Sequence, residues 1–429
     1  MKYRLSPAVL LLLVLSLYIF GACDSEPETV KPKEVKVDTL TTAQLDSIEK
    51  AAAIARHDTF PRVEYKHYKL QTYSERLALR GERDKRKKKW KSLKAIITLN
   101  RQELRYIRKG EDYVVPDSIS SDMRLYSIFP YYYWEARNIP KIIMVSNAYQ
   151  SYGCYEKGVL VRFAATNTGK ERTQTYPGRY AFEWKEREHL SSLDSNWKMP
   201  YTINFHAQAG SAFHQFAMPG RPVSHSCCRQ FMSDAEWLYY WGRGFKKDAN
   251  RKRLRMSGTP VVIIDHFNFN RKKGGPWLEL KSNKDFFLEL PEDPMGVEEA
   301  VIPISQIPEG SRWGLKDINK YIHGEDTLRA RGILRPHVRL IVTKNFNDIR
   351  RKKELAKAIK EAEAKKKAEE EAALNPDTNF VGPQPATDDS APEAKPVETE
   401  ETSNKSEELE REINSVKEKL QNEQINKSR

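Results

Sequence analysis

The stretch Met199-Pro200-Tyr201-Thr202-Ile203-Asn204-Phe205-His206, followed after seventeen residues by Ser224-His225-Ser226-Cys227-Cys228-Arg229, decides both the fold and the chemistry of this chain. The whole sequence holds four cysteines, and a thiol set close to two histidines is the inventory of a thiolate nucleophile with a general base. A cysteine attacks an amide only as thiolate. Such a site therefore needs a group that takes the thiol proton and donors that hold the oxyanion.

The spacing from His206 to Ser-His-x-Cys-x-Arg resembles the active-site signature of the L,D-transpeptidases, the YkuD-type catalytic domain. Ser226 replaces the family's glycine, and Cys228 stands at its apolar position. The flanking segments fall in the family's order. Ile142-Ile143-Met144-Val145 with Gln150 resembles the opening strand, Gly158 to Phe163 the next, and Thr175-Tyr176-Pro177-Gly178-Arg179-Tyr180 its turn and strand. Met199-Pro200-Tyr201 resembles the approach to the first histidine, and Gly258 to Ile264 the closing strand. The resemblance covers about residues 138–266. It implies a mainly β fold with some α, a YkuD-like β-sandwich.

What it implies at the site follows residue by residue. Cys227 is the nucleophile, His206 the base, oriented by a backbone carbonyl just after it, and His225 lines the site. The N–H groups of His225, Ser226 and Cys227 form the oxyanion hole. Tyr201, Ser224, Ser226 and Arg229 complete the substrate-binding and oxyanion set, with Arg229 a bidentate clamp for a carboxylate. Where the family's glycine serves a positive φ, Ser226 costs about 1 kcal/mol; where it serves close approach of the substrate, the hydroxymethyl group narrows the site. Cys228 is expected to be a small buried hydrophobe.

At 429 residues the chain has room for two or three domains. Its charged fraction of 31% and mean hydropathy of −0.72 are too polar for one compact globule, so part of the length is tail or linker. A formal charge of +14 points to an anionic partner or surface. Lys2 and Arg4 precede an apolar run from Ala8 to Phe20, short for a membrane span and suited to a signal peptide. Gly21-Ala22-Cys23 resembles a bacterial lipoprotein processing site. Residues 1–23 then form a lipoprotein signal peptide, Cys23 carries the lipid and anchors the chain to a membrane, and the protein faces the periplasm in the cell envelope. Export makes nucleic acid an unsuitable partner. Three cysteines remain, an odd number that leaves at least one free thiol.

Residues 24–62 read as a tether, with a short helix over 40–56. Residues 63–137 form a basic, Tyr-rich accessory segment. Within it, Arg80 to Lys94 is expected to be a solvated helix face; residues 96–116 faintly resemble the second half of a LysM glycan-binding module, whose first strand and helix the sequence does not place, and the alternative is a strand and turn of the catalytic domain's own platform. Residues 138–268 are the catalytic domain, with a helix from Asp234 to Trp241. Strand-like runs at 277–280, 286–290, 301–304 and 338–343 predict a β-rich extension over 269–345. Residues 346–429 predict an exposed charged helix followed by a disordered tail.

The resemblance implies an enzyme acting on peptidoglycan stem peptides without cofactor or metal. Cys227 forms a thioester with a tetrapeptide stem, and an amine acceptor gives a 3→3 cross-link; water would make the enzyme an L,D-carboxypeptidase and a protein lysine an anchoring enzyme. A second class of function is a catalytically impaired lipoprotein that ties membrane to wall. A zinc site from His206, His214, His225 and the thiols is disfavoured, because adjacent cysteines lack the spacing of zinc pairs. His214 misses the family's gap and reads as structural.

Overall fold

The computed structural model describes residues 41–374, apart from 87–88, 195 and 272. The signal peptide with Cys23, the tether up to residue 40 and the tail beyond 374 lie outside the described residues.

The described protein is mainly β with some helix, and two sheets carry the site. Apolar runs such as Ile142-Ile143-Met144-Val145 bury side chains on both faces and so form central strands. The strands are β1 (Ile142–Ser146), β2 (Ser151–Glu156), β3 (Val159–Ala165), β4 (Gly178–Ala181), β5 (Lys185–Leu190), β6 (Lys198–His206), β7 (Ser211–Gln215), β8 (Cys228–Gln230) and β9 (Pro260–Ile263). One sheet has the order β3-β2-β1-β9-β4 and the other β8-β7-β6-β5. The closing strand β9 lies parallel to β1, with Val262 opposite Met144. In the second sheet β8 runs parallel to β7, with Cys228 opposite Phe213.

The sheets share an apolar interior. Ile143, Val145 and Tyr152 of the first sheet meet Ile203, Phe205 and Phe213 of the second, together with Cys228 and Leu238. The other face of the first sheet is covered as well. Ile142, Met144, Leu160 and Phe163 pack with Val63, Leu99, Val114 and Phe129 of the accessory segment. Residues 63–137 therefore share a core with the catalytic sandwich. Within them Tyr65–Lys69 pairs antiparallel with Asp112–Pro116, and helices Tyr73–Ala78 and Leu93–Leu99 lie between these strands in the chain. The basic run is not one helix face. Arg83–Asp84 pairs with Lys89–Trp90 before the helix Leu93–Leu99 begins.

The expected β-rich extension is corrected by the structure: the described part of 269–345 contains no strand, only short helical turns and the helices Ile318–Ile322 and Gly324–Ala330. Prolines 276, 291, 294, 303, 308 and 336 remove N–H donors along it. Its apolar residues are buried by running over the sandwich rather than by pairing, as Leu288 does on the accessory side and Val301 and Ile302 on the other. The helix after β8 spans Met232–Trp241; Asp234 does not cap it but is fully buried between Lys94 and Arg162. A helix over Thr42–His57 and the charged helix Phe346–Leu374, with pairs such as Lys357–Glu361, match expectation.

Candidate active site

The thiol sits on a loop whose polar groups are almost all spoken for. Ser224 is buried, and its Oγ donates to the Cys227 carbonyl at 2.5 Å, closing a turn around the motif. The Ser224 carbonyl accepts from Lys170 N–H and Thr173 Oγ1, both at 3.0 Å, and the Ser226 carbonyl accepts from Thr175 Oγ1 at 3.0 Å. Ser226 adopts φ +77°, the left-handed conformation that favours glycine. Its hydroxyl pairs with Ser211 Oγ at 2.7 Å, so it is turned onto β7. The position needs a backbone conformation, and serine meets it with a compensating hydrogen bond.

Strand alternation then separates the two cysteines. Cys228 is fully buried between the sheets, while Cys227 is half-buried and opens onto a cavity of about 210 Å³. Cys154, Cys227 and Cys228 are all free. The Cys227 thiol donates to the Gly210 carbonyl at 3.6 Å. Desolvation pushes it up to about 11, against the opposing pull of Ala212 N–H and Arg229. At neutral pH it is a thiol.

His225 and Cys227 line the same cavity. His225 Nε2 lies 3.3 Å from Lys170 Nζ, and burial first, then Lys170 and Arg229, holds its pKa down to about 4. Arg229 donates to the Ala217 carbonyl at 3.3 Å, and its guanidinium lies over the Phe216 ring at 4.6 Å. It is the cation that acts on the thiol, and its own pKa is lowered chiefly by burial.

His206, the expected base, stands behind the turn that joins β6 to β7 and is not among the residues lining the cavity. Its Nδ1 accepts from Ala209 N–H at 3.2 Å, and its Nε2 is 3.5 Å from the Tyr321 hydroxyl. Burial holds its pKa at about 4, so the ring is neutral. The turn is shared with the thiol: Ala209 meets His206, and the next residue, Gly210 at φ +69°, meets Cys227. His214 is buried, with Nδ1 3.0 Å from the Gln215 carbonyl.

Tyr201 is not brought to the cavity. At φ +53° it breaks the alternation of β6, its hydroxyl donates to Glu236 at 2.9 Å, and its ring packs on Tyr239 and Tyr240. That break has a second effect. Met199 and Thr202, three residues apart, both line the cavity, and so does His189, the register partner of Met199. A further part of the wall comes from the extension, through Pro308, Ser311, Thr343 and Asn345. Neither His189 nor this wall was visible as a site in the sequence. His189 lies in a charged run, Lys-Glu-Arg-Glu-His-Leu, and its place beside the cavity depends on its pairing with Met199.

Residues 140–263 match the family model of the L,D-transpeptidase catalytic domain, YkuD. Solved structures with similarity include an L,D-transpeptidase from Stackebrandtia nassauensis, at 22% identity over 30% of this chain and 57% of that one, with a TM-score of 0.24. Another, from Xylanimonas cellulosilytica, is 22% identical over 29% of this chain and 59% of that one, with a TM-score of 0.23. L,D-transpeptidase 1 of Mycobacterium tuberculosis is 18% identical over 29% of this chain and 62% of that one, also with a TM-score of 0.23. The match thus spans less than two thirds of the length of each of these structures. No curated protein matches the chain. Residues 140–263 are thus similar to the YkuD L,D-transpeptidase catalytic domain.

Proposed function

We propose that the chain is a peptidoglycan L,D-transpeptidase in which Cys227 attacks the carbonyl of the third residue of a tetrapeptide stem and expels the terminal D-alanine. The observation that carries this reading is the free, half-buried Cys227 at the mouth of a cavity, on a loop that Ser224, Ser226, Thr173 and Thr175 lock in place. The thiol proton goes to His206 Nδ1 once the Ala207–Gly210 turn releases the Ala209 N–H, since both groups meet that turn, and it passes from there to the nitrogen of the leaving D-alanine as the C–N bond breaks. With the thiol near 11 and the imidazole near 4, the resting pair is neutral, and the ion pair forms only as the substrate is attacked. The N–H groups of Ser226 and Cys227 hold the oxyanion, His225 lines the donor, and Arg229 with Lys170 draws the anionic stem. An amine of a second stem resolves the thioester to a 3→3 cross-link.

Ser226 supports catalytic competence rather than a purely tethering role, because its hydroxyl is committed to Ser211. Lipidation at Cys23 places the enzyme on a membrane facing the periplasm, and the strand-helix-helix-strand unit of 65–116 is a candidate wall contact. The test is product analysis with tetrapeptide stems: the wild type releases D-alanine and forms the cross-linked dimer, and Cys227→Ala does neither. Equal products from both proteins would refute the assignment. Release of the Cys23→Ala protein from the membrane fraction tests the anchor separately.

A further inference from the structure

Three imidazoles surround the Cys227 thiol region, and their ring nitrogens are engaged in different ways. His206 Nδ1 accepts the Ala209 N–H, so in the neutral ring the proton sits on Nε2, beside Tyr321. That ring lies behind the turn and outside the cavity lining. His225 Nε2 faces the Lys170 ammonium, which only donates, so Nε2 is an acceptor already in use and Nδ1 carries the proton.

His189 has the opposite arrangement. Its Nδ1 meets the Glu186 carboxylate, which only accepts, so in the neutral ring Nδ1 carries the proton and Nε2 has the lone pair. That Nε2 has no hydrogen-bond partner among the described residues. Trp184 flanks the ring at 4.9 Å between centroids and lines the same cavity, so the imidazole is held by a carboxylate and an indole. Register explains why the pair sits there. Met199 is opposite His189 and Thr202 opposite Glu186; Met199, Thr202 and His189 line the cavity, and Glu186 reaches the His189 ring from the exposed side of the strand.

An acyl transfer to an amine needs a proton acceptor where the amine enters, and a base behind the turn does not supply one. Resting on the reading of Cys227 as the acylated residue, we propose that His189, held by Glu186, is the base for the acceptor amine in the second half-reaction. The amine nitrogen's lone pair forms the new C–N bond to the thioester carbonyl carbon. The C–S bond breaks with its electron pair on Sγ. The proton shed by the nitrogen passes to His189 Nε2 and from there to Sγ, restoring thiol and neutral imidazole. Glu186 is a positioning residue that fixes the tautomer.

The experiment uses the full chain, a synthetic stem tetrapeptide as donor and a second stem with a free side-chain amine as acceptor. In His189→Gln amide formation slows about 100-fold more than the initial release of D-alanine does, the scale of one general base. In His189→Ala, imidazole in the buffer restores amide formation, which a merely structural defect would not allow. Amide formation within threefold of wild type in His189→Gln overturns the assignment, as does a parallel loss of both steps without imidazole rescue. No D-alanine release from the wild type removes the Cys227 reading itself, and this inference falls with it.

Discussion

The two walls of the Cys227 cavity are built on different principles. The thiol's own wall, residues 224–229, is a loop in which Ser224 is buried, Ser226 is held at a positive φ, and carbonyls are tied to Thr173, Thr175 and Lys170. The other wall is made of the partly exposed strand β5 and of irregular chain from the extension, through His189, Pro308, Ser311 and Asn345. The first wall is fixed by hydrogen bonds that cannot be removed singly without leaving a buried partner unsatisfied. The second presents side chains to the cavity at little cost to the core. Geometry for the nucleophile lives in one, and recognition of what it meets lives in the other.

The sharpest way to break this contrast is at Ser226. A β-branched side chain at φ +77° costs about 1–3 kcal/mol in backbone strain and loses the Ser211 contact. Ser226→Val is therefore expected to slow acylation by about 100-fold, as displacement of a reacting group does. Carbapenem adduct formation followed by mass spectrometry measures it, and a rate within threefold of wild type would show that the loop does not set the thiol's position. Ser226→Gly sharpens the point from the other side. It relieves the strain and forfeits the hydrogen bond, so stability in urea should change by less than about 1 kcal/mol.

The thiol's pKa of about 11 predicts the pH response of the rigid wall. Only the thiolate is alkylated, so the rate of iodoacetamide labelling at Cys227 should rise about tenfold per pH unit from 7 towards 10. A plateau near neutral pH would mean a preformed ion pair instead.

Acid stability follows from the same side. His206, His214 and His225 have folded pKa values of about 4, all lowered chiefly by burial, against an ordinary value of 6.5. Between those values the unfolded chain binds more protons, so stability falls as pH drops from 6.5 towards 4, on the order of 1 kcal/mol per unit for each histidine that stays buried. Denaturant midpoints at pH 7 and pH 5 check this, and equal midpoints would contradict it. The smallest effect belongs to the other wall. Ser311→Ala should leave stability within about 0.5 kcal/mol and raise KM for the donor severalfold with kcat held.

The contrast also divides what could be read from the sequence. Runs such as Ile142 to Val145 and Val261 to Ile264, the Thr175 to Tyr180 turn and the motif around Cys227 are local patterns, and the sandwich follows from them. The family glycine at Ser226 left two readings open, a backbone need and a close approach, and the φ of +77° selects the first. The extension misled, since Phe286 to Leu290 has the composition of a strand but finds its burial against a sheet face. Asp234 has the composition of a cap and instead joins a buried network with Lys94 and Arg162, more than seventy residues distant from either. His189 was invisible because its place beside the cavity depends on its pairing with Met199 on the neighbouring strand. Each miss is a tertiary choice with no local signature.

The most direct test of Cys227 as a competent nucleophile is the intact mass of the reduced full chain after incubation with a carbapenem, beside Cys227→Ala and Cys228→Ala. One adduct per chain that persists in Cys228→Ala and vanishes only in Cys227→Ala is the predicted result. No adduct on the folded, reduced wild type, or an adduct that survives in Cys227→Ala, would contradict it.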